Sequence, residues 1–154
     1  MVDANQAWSL EQALASVPAL APFDLDWLEE PLRADRPWPE WQTLAKASPV
    51  ALAAGENLAG GAAFAEAVRA QTLAVLQPDI AKWGGISGCW PVIDQAIRAG
   101  LRYCPHYLGG GIGLLASAHL LAAVGGGGTC WKSMPTPTRC ARWRPARRCR
   151  WPMA

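Results

Sequence analysis

Along the first 124 residues the hydrophobic and polar positions alternate in blocks. Short apolar runs that end in a polar residue are followed by longer stretches with helical spacing. "FDLDWLEEP" reads as a strand around Asp24–Leu28, stopped by Pro31. "PVALAAGEN" gives a second around Val50–Ala54, "LAVLQPD" a third around Leu73–Gln77, and "LRYCPH" a fourth around Leu101–Pro105. "MVD" reads as the last residues of a further strand. Helices are predicted over Leu10–Leu20, Pro39–Lys46, Gly61–Ala70, Cys89–Ala99 and Leu114–Val124. Gly100 is a natural stop for the fourth. The last is apolar nearly all round, which predicts burial on several sides. Strands alternating with helices point to right-handed βαβ units and a parallel sheet.

The strand ends carry the chemistry. Asp3, Glu29, Glu56, Asp79 and His106 succeed one another at gaps of 26, 27, 23 and 27 residues. Each gap is about one βα unit, so the repeat is one of position and not of sequence. In a (β/α)₈ barrel the C-terminal ends of the strands face one mouth, where active sites are built.

Three carboxylates from neighbouring strands, Asp3, Glu29 and Glu56, repel one another unless a cation sits between them. Hard oxygen donors, completed by water and substrate, suit Mg²⁺. His106 lies one strand after Asp79. An aspartate on one imidazole nitrogen fixes the tautomer and raises the basicity of the other, which makes a general base. Taken singly, each of these residues is as well read as a loop carboxylate or a structural histidine; the shared register favours the site. Lys82, three residues after Asp79, reads as a cation beside the site or a surface lysine. His119, inside the last apolar helix, reads as core or groove and not as catalytic. "GGISG" and "GGGIG" lack a full phosphate-loop pattern; they read as places where backbone passes close to the site.

Charge divides the chain. Residues 1–124 hold seven Lys and Arg against all twelve Asp and Glu, a net −5, and residues 125–154 hold the other seven basic residues and no acid, a net +7. The five cysteines form no C-x-x-C pair, which argues against a zinc site or a disulfide framework. The start has no secretory signal and no apolar run reaches membrane-spanning length, so a cytoplasmic setting is expected. Two units are therefore expected: 1–124, an α/β domain, and 125–154, a disordered basic tail. A nucleic-acid-binding arm is the rival reading of the tail; its Arg and Trp suit phosphates and bases, but it contains no recognisable module.

At "VDANQ", "WLEEP", "AGEN", "QPDIAKWGG" and "CPHYLGGGIG" the chain resembles the mandelate racemase group of the enolase superfamily, within the mandelate racemase/muconate lactonizing enzyme family. The resemblance covers residues 1 to about 126. It implies a partial TIM-type (β/α)₇β barrel of about five βα units. It also implies Mg²⁺-dependent removal of the proton α to a carboxylate, giving an enediolate. By the same resemblance Asp3, Glu29 and Glu56 fall on metal ligands, His106 on the general base and Asp79 on its partner. Asn5, Asn57 and Lys82 fall near substrate or metal. The implied substrate is a small hydroxy-carboxylate such as a sugar acid, the implied reaction dehydration or racemisation, and the implied parent a homo-oligomer.

The chain departs from the family pattern at both ends. A capping domain and the first two barrel strands, one with a Lys-x-Lys motif, are expected to be missing. At the other end, "TCWKSMPTPTRCA" back-translated with GC-rich codons and read from the third base gives LLEVDANPNPLR, the kind of segment a family member carries there. A single-base frameshift near residues 125–128 accounts for the tail. An incomplete barrel, weakly active or inactive, is therefore the first expectation, and a non-catalytic metal-binding or interaction remnant the second.

Overall fold

The computed structural model describes residues 1–124. Five short parallel strands lie side by side in chain order: β1 (Val2–Asp3), β2 (Leu28–Glu29), β3 (Leu52–Ala54), β4 (Val75–Leu76) and β5 (Arg102–Tyr103). Their register sets Asp3 opposite Glu29, Glu29 opposite Ala53, and Ala54 opposite Leu76. Beyond β4 and β5 one further parallel bridge joins Asp79 to His106. Between the strands run α1 (Leu10–Ser16), α2 (Trp38–Ala47), α3 (Gly61–Ala70) and α4 (Gly85–Arg98), and α5 (Gly111–Ala123) comes after β5. This is the α/β arrangement expected of five βα units. The predicted tail, 125–154, lies outside the described residues.

Side chains alternate across each strand, and the two faces do different work. Leu28, Leu52, Ala54 and Leu76 face the helices and join Ala13, Trp41, Leu44, Phe64, Ala67, Val92 and Ala96 in the main core. Trp27, Ala53, Val75 and Cys104 form a small second cluster on the other face. That face is narrow, and Glu29 emerges on it beside Trp27.

Element ends differ from the sequence reading for local reasons. The strand placed at Asp24–Leu28 forms at Leu28–Glu29, because Asp24 adopts a left-handed conformation (φ 47°) that ends a 3₁₀ turn over Val17–Phe23. The helix expected to reach Leu20 stops at Ser16, and Pro18 and Pro22 hold the next residues in that tighter turn. Its start is fixed by a capping box in which Ser9 and Gln12 bond each other's backbone N–H groups. Helix α4 begins at Gly85 rather than Cys89, and α5 at Gly111 rather than Leu114.

Helix α5 is the main correction. Only Ser117 and Leu120 are buried along it, while Ile112 and Leu115 are exposed. Among the described residues it packs mainly against α4, with Tyr103 of β5 in the same cluster. His119 is exposed, so it is not part of the core. The glycines before it serve Tyr107: a Cβ at Gly109 or Gly113 would collide with the Tyr107 ring. Among the described residues no helix is long and apolar enough to cross a membrane.

Candidate active site

Three of the polar residues at the strand ends, Glu56, Asp79 and His106, meet at one edge of the sheet. His106 is the hub. Its Nδ1 lies 2.7 Å from Asp79 Oδ2, and its Nε2 lies 2.8 Å from Glu56 Oε2. The backbone bridge between Asp79 and His106 holds the first pair in register. Asp79 Oδ1 accepts the backbone N–H groups of Ala81 (2.7 Å) and Lys82 (3.1 Å), which fixes the carboxylate from behind. Both Asp79 and His106 are buried. With a carboxylate on each ring nitrogen, His106 donates from both and is held as an imidazolium; once Nε2 gives up its proton, Asp79 keeps the other on Nδ1 and Nε2 is the basic nitrogen.

From Glu56 the network continues outward. Lys82 Nζ donates to Glu56 Oε1 at 3.0 Å and to Asn57 Oδ1 at 3.1 Å. Asn57 Nδ2 donates to both oxygens of Glu30, at 3.1 and 2.8 Å. Glu30 is buried and adopts a left-handed backbone (φ 40°), a strained conformation for a residue with a side chain. Asp79, His106, Glu56, Lys82, Asn57 and Glu30 thus form one connected chain.

Glu29 stands on the narrow face, fully buried. Its Oε2 accepts from Trp27 Nε1 at 3.0 Å and from Gln77 Nε2 at 2.9 Å. Asp3 is exposed, and its Oδ1 accepts the backbone N–H of Asn5 at 2.8 Å. Asn5 is exposed too, with a left-handed backbone (φ 48°) that turns the chain out of β1.

The electrostatics are a product of this wiring. Burial works to raise the Glu56 pKa, but the hydrogen bond and charge of His106, with help from Lys82, hold it down at about 2. Burial opposes charge on His106, yet its bonds to Glu56 and Asp79 raise its pKa above the usual imidazole value. Glu30 is pushed up to about 7, first by burial and then by the charge of Glu56, against the Asn57 hydrogen bond. Asp3 adds to the same push. The mouth therefore carries more negative charge than its own cations balance.

The sequence-predicted residues gather in two groups. Asp79, His106, Glu56, Lys82 and Asn57 are wired together, whereas Glu29 and Asp3 bond other partners. Among the described residues no three His, Cys, Asp or Glu side chains are drawn together as a bound cation needs. The donor set itself fits a hard cation, with carboxylates on three adjacent strand ends and an excess of negative charge. Sequence reasoning missed Glu30, Trp27 and Gln77. The doubled acid before Pro31 was the visible signal for Glu30; Trp27 lies two residues before Glu29, and Gln77 becomes its partner only once the sheet sets β4 two strands from β2.

A family described as Enolase C-terminal domain-like matches residues 1–139 of the chain. The chain belongs to that family. A crystal structure of a mandelate racemase/muconate lactonizing enzyme from Bordetella bronchiseptica RB50 is 65% identical, with a TM-score of 0.78, over 79% of this chain and 34% of that one. An L-talarate dehydratase from Polaromonas sp. JS666, solved with Mg and L-glucarate, is 34% identical at TM-score 0.66, over 70% of this chain and 30% of that one. The D-galactarolactone cycloisomerase of Agrobacterium fabrum is 29% identical over 124 residues, 80% of this chain and 32% of its own length. Acid-sugar dehydratases, cycloisomerases and racemases all stand among the enolase-superfamily relatives. The chain spans about a third of the length of these proteins.

Proposed function

We propose that this chain carries the proton-abstracting face of a Mg²⁺-dependent enolase-superfamily site acting on a sugar acid, by dehydration or racemisation. The Asp79–His106–Glu56 alignment across adjacent strand ends is the observation that supports it most.

In this reading His106 is the general base and Nε2 takes the proton α to the substrate carboxylate. Asp79 holds the Nδ1 proton in place and stabilises the imidazolium that forms. The bond between Nε2 and Glu56 must open, and Nε2 must lose the proton it donates there to solvent, before it can take a proton from the substrate carbon. In a dehydration the proton on His106 Nε2 passes to the leaving β-hydroxyl, so that water departs as the double bond forms. Lys82, Asn57 and Asn5 line the mouth and contact substrate or orient the carboxylates. Asp3, Glu29 and Glu56 would hold the ion. When bound, Mg²⁺ supplies positive charge opposite the negative charge that develops on the substrate carboxylate.

The test is loss of the α-proton signal of galactarate, L-talarate or glucarate in D₂O with Mg²⁺, monitored by NMR. Exchange that disappears in His106→Asn and falls strongly in Asp79→Asn supports the assignment. Exchange unchanged in His106→Asn overturns it. Calorimetric titration of Mg²⁺ against wild type and Glu56→Gln separates a second reading, binding without turnover. That reading gains from Glu56 being engaged by His106 and Lys82. Mg²⁺ binding with no exchange favours it, and equal heats for the two proteins remove the metal assignment for Glu56.

A further inference from the structure

We propose that Trp27 and Gln77 are positioning residues that together clamp Glu29 for divalent-cation binding; this rests on the reading of Glu29 as a cation ligand. Both side chains donate to one atom, Glu29 Oε2, at 3.0 and 2.9 Å. The three residues are 6%, 1% and 0% exposed in the order Trp27, Gln77, Glu29. Two N–H donors converging on one buried oxygen fix the rotation of the carboxylate about its last bond and hold one oxygen back.

The architecture accommodates this contact at each of its positions. Trp27 lies two residues before Glu29, immediately ahead of β2, so alternation along the extended chain puts both on the narrow face. Gln77 comes from beyond the end of β4, two residues after Val75, and β3 separates it from β2. Strands two positions apart in a sheet are about 9–10 Å apart. A glutamine spans that gap only over small residues, and on β3 Ala53 lies opposite Glu29 and Val75, with Gly55 two residues further on. The bare Gly55 helps as well: a Cβ there would lie 2.7 Å from the Gln77 backbone nitrogen.

The rest of the Gln77 amide argues that the donor is what matters. Gln77 Oε1 is buried and meets no donor among the described residues. An apolar side chain of the same size fills the space without burying an unmatched oxygen. The amide orientation is not arbitrary either, since a flipped amide would set oxygen against carboxylate. Trp27 has its own anchor on the other side: the Arg102 guanidinium lies 5.6 Å from its ring centre. Groups that orient the ligands of a metal typically change its affinity by about 10- to 100-fold when removed.

Two measurements on the full chain test the clamp. The first is metal-free: the indole N–H signals of ¹⁵N-labelled protein, with Trp27 assigned by its loss in Trp27→Phe. Glu29→Gln is expected to shift the Trp27 indole signal, and a signal that stays put overturns the clamp. The second is Mn²⁺ affinity by electron paramagnetic resonance for wild type, Trp27→Phe, Gln77→Met and the double variant, each shown to be folded by its melting curve. Each single variant is expected to bind about tenfold or more weakly. The double variant is expected to lose less than the product of the two, because both act on one oxygen. Equal affinity in all four overturns the clamp while the ligand reading stands. Wild type that binds no Mn²⁺ while the indole response is intact overturns the ligand reading, and with it any positioning role toward an ion.

Discussion

Gly55 combines a positive φ with a close backbone neighbour. Its φ of 141° and the 2.7 Å approach of a built Cβ to Gln77 leave no room for a side chain. Gly55→Ala is expected to lower stability by about 3 kcal/mol, adding backbone strain to overpacking, as read from urea unfolding. Cys89 gives a pH-dependent prediction away from the carboxylates. Burial, with the charge of Asp79, pushes its thiol up to about 11 from 9.0. The folded thiol keeps its proton where the unfolded one loses it, so its contribution to stability is present below pH 9 and lost as pH rises toward 11. Alkylation of Cys89 at about pH 8, read by mass spectrometry of the labelled peptide, is expected to run at least about tenfold slower in the native chain than in urea. At this scale the sequence is informative about residue type and less so about partner. The carboxylates and His106 are legible because charge recurs at strand ends. The Trp27–Glu29–Gln77 contact is not, because it joins residues 48 positions apart through a register that periodicity does not encode.

Elements are legible where propensity and tertiary packing agree. Helix α3 forms at the predicted Gly61–Ala70, with Phe64, Ala67 and Val68 on its buried side. Helix α1 ends earlier than its pattern predicts because the apolar Ala/Leu spacing continues past Ser16, whereas the prolines set the backbone. Ser9→Ala removes half of the reciprocal cap and is expected to cost about 1 kcal/mol, measurable as a lower urea midpoint. Helix α5 shows the limit of pattern reading. An all-apolar helix predicts burial, but burial depends on which elements surround it, and here α4 packs on one side. Ile112 and Leu115 are exposed. Replacing both with Lys is expected to leave stability within about 0.5 kcal/mol, read as an unchanged urea midpoint.

On the scale of the whole molecule the five-unit parallel order is legible from the spacing of polar strand ends, because each βα unit has a near-constant length. What spacing leaves open is which side chains touch, and Glu56 turned toward His106 and Lys82 is the clearest instance. If the carboxylate-lined mouth takes up a cation, the folded state gains by mass action. Saturation at about 100 times the dissociation constant is worth about 2.7 kcal/mol. Mg²⁺ is therefore expected to raise the melting temperature of wild type and to do so less in Glu56→Gln. The bridge between Asp79 and His106 has a different consequence, for how such a chain tolerates change. The separation of the two side chains is set by a backbone pairing and not by the helix that links them. Insertions or deletions in the connection around α4 can accumulate without moving the pair, provided the strands still align. One residue gained or lost between Leu76 and Asp79 cannot be absorbed so easily, because it shifts one partner relative to the other. Length variation between lineages should therefore collect at the two ends of α4, near 84 and 99–100, and spare both its buried face and the few residues after each strand.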